Sequence, residues 1–218
     1  MTAKIKEIFE SVQGEGILAG YKQIFIRFAF CNLNCDYCDT NHSDENAMNL
    51  SEEELFDKIK KFDSEFISLT GGEPLIHVGF IKSFLNKYKK FLNKEIYLET
   101  NGTLYEQLSE IIDLIDIVAM DIKIQSATGE VNRFDINEKF LEISKEKAFI
   151  KVVFTKEITD EEIETIANLA KKYDVPLIIQ PKSPIDHSVP FLEIYNRFYS
   201  IYKDTRLIPQ THKFIGVE

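Results

Sequence analysis

The sequence predicts an α/β protein built as a partial, open β/α barrel of six or seven mainly parallel strands, and three observations carry that prediction. Apolar, β-branched runs recur along the chain with helix-period segments between them, an order that implies parallel pairing through crossovers of one hand. The chain has 218 residues, short of the roughly 250 that a complete eight-fold barrel takes. No repeat, Pro/Gly/Ser-rich linker or compositional break divides it, so residues 1–218 read as one domain.

The first buried strand is expected at Gln23 to Phe28. Ser51 with Glu54 forms a capping box ahead of Leu55, Ile59 and Phe62, the start of a helix. Phe66 to Leu69 reads as the next strand. Between Gly79 and Leu92 one helix face is marked by Phe80, Ile81, Phe84, Leu85 and Tyr88, and the lysines from Lys82 to Lys94 read as its solvated side. Strands follow at Glu95 to Leu98, Ile115 to Asp121 and Ala148 to Phe154. Thr159 with Glu162 caps a second helix carrying Ile163, Ile166 and Leu169, and the last strands are Pro176 to Gln180 and Arg206 to Ile208. Functional loops of such a fold gather at the carboxyl ends of the strands.

The net charge is −10, a field that repels phosphate backbones and anionic membrane surfaces and argues against a nucleic-acid substrate. No apolar run approaches the roughly 18 residues that span a bilayer, and Met1 to Glu10 lacks the apolar core of a signal peptide. A soluble, cytoplasmic protein with no membrane partner is expected.

All three cysteines, Cys31, Cys35 and Cys38, fall inside one eight-residue window directly after the first strand. In a reducing compartment, three thiols this close are better explained as thiolates on a metal than as disulfide partners. Their spacing lets them ligate three irons of a [4Fe-4S] cube and leave the fourth iron open to an exogenous molecule. The competing site is zinc, with His42 completing a Cys3His tetrahedron in a zinc-stapled binding module.

The cysteine triad resembles that of the radical S-adenosylmethionine enzymes. The resemblance implies a radical S-adenosylmethionine core in which the open iron takes the amino and carboxylate groups of S-adenosylmethionine, with Tyr37 against the adenine and Cys38 and Asp39 beside it. Thr70, Gly71, Gly72, Glu73 and Pro74 resemble the superfamily's GGEP motif, which implies that Gly72 and Glu73 lie at the methionine amino group. Glu99 and Asn101 end the third strand, and Asp121, Ile122 and Lys123 end the fourth, with groups suited to a ribose or a carboxylate. Taken singly, Asn101-Gly102 also reads as a turn and Asp121 with Lys123 as a surface ion pair.

Gln13, Gly14, Glu15 and Gly16, then Arg27, then Cys38, Asp39 and Thr40, and finally the tail from Ile208 to Lys213, are similar to the 7-carboxy-7-deazaguanine synthase family over essentially the whole chain. That family's substrate is 6-carboxy-5,6,7,8-tetrahydropterin. The resemblance implies that Arg27 grips the substrate carboxylate, that Gln13, Gly14 and Glu15 bond the pterin edge, that Thr70 and His212 make further contacts, and that Thr40 helps hold Mg2+. It further implies hydrogen abstraction at C6 by a 5′-deoxyadenosyl radical, ring contraction with loss of ammonia, and a product that feeds queuosine-type bases. An outside one-electron donor, flavodoxin or ferredoxin, and a homodimer are implied as well. The chain departs from the family pattern at Phe30, where glycine is common, and at Tyr37, where tryptophan is frequent. A glycyl-radical-enzyme activating protein shares the triad but would lack Gln13 to Gly16.

Overall fold

The computed structural model describes residues 1–36, 38, 43 and 45–217. It opens on a strand absent from the expectation, β1 (Thr2–Val12), followed by β2 (Lys22–Phe28) and the short β3 (Met48–Ser51). Then come α1 (Glu52–Ile59), β4 (Phe66–Gly71), α2 (Val78–Leu92), β5 (Glu95–Thr100), α3 (Tyr105–Ser109), β6 (Ile117–Ile122), α4 (Gln125–Thr128) and α5 (Phe134–Ser144). The chain ends with β7 (Ala148–Phe154), α6 (Asp160–Tyr173), β8 (Leu177–Pro181), α7 (Phe191–Ile201), β9 (Thr205–Leu207) and α8 (Thr211–Ile215).

Among the described residues the sheet has nine strands in the order β3-β1-β2-β4-β5-β6-β7-β8-β9, and its two edges do not pair with each other. The seven expected strands are all present, and from β2 through β4 to β9 every neighbouring pair is parallel. The parallel part thus has the expected seven strands, and β1 and β3, which were not expected, add an antiparallel extension beside β2 that brings the sheet to nine. In β1 the buried Ala3 and Ile5 alternate with Lys4 and Lys6, but this stretch is short and a register shift between Ile5 and Glu7 breaks the period of two.

Alternation along the strands makes two different faces. Ile24, Ile26 and Phe28 of β2, Ile96 and Leu98 of β5, Val118, Met120 and Ile122 of β6, and Ile150 and Val152 of β7 turn outward into the core shared with the helices. The residues between them turn inward. Tyr97, Ala119, Phe149 and Ile178 form a separate apolar layer, joined by Ile17 and Leu18 from the β1–β2 loop and by Ile208, and this layer closes the floor of the barrel. Both capping boxes are complete. Glu162 does more than cap α6, since its other oxygen accepts from the backbone N–H of Ser126, 3.1 Å away in α4.

Candidate active site

Above the apolar floor the inward side chains become polar and line one cavity at the carboxyl ends of the strands. Arg27 comes from β2, Thr70 from β4, Glu99 from β5, Asp121 from β6, Lys151 from β7 and Gln180 from β8. Further along the same strand ends, Gly72, Asn101 and Lys123 line the rim with Cys31, Cys35 and Cys38. From the opposite side the β1–β2 loop contributes Gln13, Gly14 and Glu15, and the carboxyl-terminal segment contributes Gln210 and His212.

The thiol loop is anchored at both ends. At its start, the N–H groups of Gly72 and Glu73 donate to the carbonyls of Phe28 (3.0 Å) and Phe30 (2.8 Å). Further on, Asn34 N–H donates to Glu130 Oε1 (2.8 Å) and Asp36 N–H to the Thr128 carbonyl (2.9 Å). Phe30 has φ 70°, a left-handed conformation that suits glycine better. Its ring turns away from the cavity and stacks on His77 with ring centroids 6.1 Å apart, which explains how a bulky residue is accommodated at this position.

Gly72 is required by close approach. A Cβ there would sit 1.8 Å from the Phe30 carbonyl oxygen, so any side chain pushes the thiol loop off the end of β4. Gly72→Ala is therefore expected to cut iron incorporation on anaerobic reconstitution severalfold while the far-ultraviolet circular dichroism stays near that of the wild type. Unchanged iron content would show that the loop relaxes without cost. Gly14 is constrained in the same way by the His212 ring, whose Nδ1 would lie 1.8 Å from a Cβ.

Burial pushes the Cys31 thiol above its ordinary value, and burial with the nearby Asp121 carboxylate and the other two thiols pushes Cys35 up to about 11, against the opposing charge of Lys123. Without a metal these two thiols hold their protons at neutral pH, so loading must displace protons. Among the described residues no three His, Cys, Asp or Glu side chains converge as a single ion requires. Three separate thiols along the rim of one cavity suit a cube, where each thiolate takes its own iron. Asp121 adds a buried Oδ1 with no partner among the described residues, and Gly71 and Gly72 leave bare backbone beside the thiols. These features fit a cluster carrying a polar ligand.

The middle of the cavity is a charge network. Lys151, 7% exposed, bridges Glu15 and Asp121, and the Asp121 Oδ2 that accepts from Lys151 at 3.0 Å also accepts from Lys123 at 2.9 Å. Burial alone would raise Glu15, but the Lys151 charge and hydrogen bonds led by the Gln210 amide outweigh it and hold the carboxyl at about 2. Burial raises Glu99, and the Glu15 charge adds to that. Lys151 works against the rise, as do bonds donated by Thr70 Oγ1 (2.7 Å) and Gln13 Nε2 (2.9 Å). Arg27 reaches the cavity with its NH1 3.0 Å from a Glu7 oxygen and its guanidinium over the Phe9 ring.

Two expected cofactor residues do not line the cavity. Ile122 turns outward into the helix-side core, because the alternation that aims Asp121 inward aims its neighbour out. Glu73 is fully buried and accepts from Leu75 N–H (3.1 Å), Thr100 Oγ1 (2.9 Å) and Asn101 N–H (2.8 Å). Its carboxyl, pushed up to about 7 by burial, braces the ends of β4 and β5 together. The expectations for Tyr37, Asp39, Thr40 and His42 lie outside the described residues. Lys151, Gln180 and Gln210 were not among the expected residues, though a lysine within a run of buried apolar residues and a glutamine ending another are visible signals.

The sequence and the fold are both similar to those of known proteins. The sequence matches the Radical SAM superfamily over residues 25–179. It is 36% identical to a 7-carboxy-7-deazaguanine synthase of Geobacter sulfurreducens, covering 98% of this chain and 97% of that one. It is 35% identical to one of Archaeoglobus fulgidus over the full length of both. A crystal structure of QueE from Escherichia coli shares the fold, with a TM-score of 0.69 at 23% identity over 97% of this chain and 95% of that one.

Proposed function

We propose, since this chain belongs to the 7-carboxy-7-deazaguanine synthase family of the Radical SAM superfamily, that it converts 6-carboxy-5,6,7,8-tetrahydropterin to 7-carboxy-7-deazaguanine and ammonia. The observation that carries the reading is one cavity with three thiols at its rim and, below them, a polar layer that joins Gln13, Glu15, Arg27, Thr70 and His212. When bound, the cluster with S-adenosylmethionine supplies the radical that starts the ring contraction.

The chain's own residues bind, orient and exclude water. Cys31, Cys35 and Cys38 would hold the cluster, and Asn101, Asp121 and Lys123, which line the same cavity, would meet S-adenosylmethionine. Arg27, at the cavity mouth, takes the substrate carboxylate with its planar fork, exchanging part of its pairing with Glu7. Glu15, held ionised, accepts from N–H groups of the heterocycle, and His212, packed on Gly14, closes the cavity from the carboxyl-terminal side. The apolar floor excludes water from below.

Anaerobic reconstitution followed by incubation with the carboxypterin, S-adenosylmethionine and a reductant tests the reading. 7-Carboxy-7-deazaguanine should form, and its absence alongside continued production of 5′-deoxyadenosine would refute the substrate. The electron comes from an outside donor, because three cysteines cannot build a second cluster; the reading takes that donor to be a flavodoxin or ferredoxin and the protein to act as a homodimer on the free pterin.

Mg2+ held with the help of Thr40 would order substrate oxygens, a role that suits a hard ion and a hydroxyl ligand. Magnesium-free buffer should lower product formation severalfold while uncoupled 5′-deoxyadenosine formation persists. Equal loss of both would place the metal elsewhere.

A further inference from the structure

Gln180 is a buried polar group of the cavity whose two side-chain polar atoms the interactions above both leave unexplained. It is the penultimate residue of β8, has no solvent exposure and lines the cavity, and among the described residues neither its Nε2 nor its Oε1 has a hydrogen-bond partner. A buried amide without partners costs free energy on both atoms, so a stable fold keeps one where something else satisfies it. The carboxylates at this depth are engaged: Glu15 with Lys151 and Gln210, Glu99 with Gln13 and Thr70, and Asp121 through its Oδ2 with Lys151 and Lys123, its Oδ1 alone left over. Gln180 lies beside the Glu15 carboxylate and helps hold its pKa down, but its amide does not reach hydrogen-bond geometry with it.

We propose that the Gln180 amide is a specificity-determining contact that reads an adjacent donor and acceptor on the edge of the heterocyclic substrate. This rests on the substrate reading given above. An amide presents one acceptor and a pair of donors about two ångströms apart on a rigid plane, which matches a ring carbonyl next to a ring N–H or amino group. The 2-amino-4-oxopyrimidine half of a pterin carries that pattern. Beside it, an ionised Glu15 accepts from N–H groups and repels a carbonyl, so carboxylate and amide together favour a 2-amino ring over a 2-oxo ring. The two orphaned atoms are thus satisfied in the complex and unsatisfied in the free protein.

That asymmetry gives the test two readouts of opposite sign. Gln180→Met keeps the volume and removes both polar atoms. In the reconstituted enzyme, the Kd for the carboxypterin should rise about tenfold or more, as expected for the loss of paired polar contacts. The Kd for S-adenosylmethionine should stay within about twofold, and the substrate-free protein should melt at the wild-type temperature or above it. Gln180→Leu serves as a second apolar variant should Met pack poorly.

Wild-type affinity for the carboxypterin in both variants would overturn the inference alone. So would a drop in melting temperature with affinity intact, which would make the amide a structural group. If the wild-type enzyme itself does not bind the carboxypterin, the substrate reading falls and this inference falls with it.

Discussion

Replacing Cys31, Cys35 or Cys38 by Ala should leave a folded protein whose cleavage of S-adenosylmethionine drops to the level of a protein-free control. The expectation follows from how little the thiols contribute to the fold and how much they contribute to the cluster. Cys38 is exposed, and Cys31 and Cys35 are only half-buried at the rim of the cavity, so their removal opens no core void. The loop around them is held by backbone bonds from Gly72, Glu73 and Asp36 that involve no sulfur. A cube ligated at three corners, by contrast, loses a corner with each substitution. After anaerobic reconstitution the variants should show reduced iron and sulfide, little 5′-deoxyadenosine, and a melting temperature within a few degrees of the metal-free wild type. Stoichiometric zinc in the anaerobically purified wild type, with no iron taken up on reconstitution, would replace the cluster by the Cys3His alternative.

The parallel half of the fold was legible in the sequence because burial on both faces makes its strands continuous apolar runs, as in Ala148–Phe154. Strand β1 was not, because only one stretch of it is buried and its bulge scrambles the alternation among Lys4, Lys6, Glu7 and Glu10. The helices that announced themselves carry capping boxes or a marked apolar face. Helices α5 and α7 start at Arg133 and Pro190 with no side-chain cap, so only packing around Phe140 and Phe198 fixes them. In the site, motif residues were legible, but the identity of a brace was not. Glu73 sits in the motif yet spends its carboxylate on Thr100 and on two backbone N–H groups, and a sequence does not show which way a carboxylate points. Lys151 was passed over because a lone lysine within an apolar strand has meaning only once Glu15 and Asp121, far away in sequence, converge on it.

That convergence makes Lys151→Met the most damaging single change to the lumen. The variant keeps the length of the side chain and removes the charge, leaving Glu15 and Glu99 buried with no cation between them, while Asp121 retains Lys123. Breaking a buried charge network by deleting one partner costs about 3–5 kcal/mol. Adding Glu15→Gln should restore part of that loss, because the uncompensated carboxylate disappears with its partner. The pH dependence distinguishes this account from simple loss of packing. In the wild type Glu15 titrates at about 2, below its ordinary 4.5, so its contribution to stability is complete above 4.5 and is lost as pH falls toward 2. Over that window the unfolded chain binds more protons than the native one, and stability rises with pH. In Lys151→Met burial dominates, the native carboxyl holds its proton above 4.5, and the Glu15 contribution changes sign: stability falls as pH rises past 4.5. Glu73, pushed up to about 7, adds a falling slope between 4.5 and 7 in both proteins, so it cancels in the difference. Denaturant unfolding of the two proteins from pH 3 to 6 reads that difference directly. A gap between the curves that widens with pH is the expected result, and parallel curves would mean that Lys151 serves the fold by packing rather than by charge.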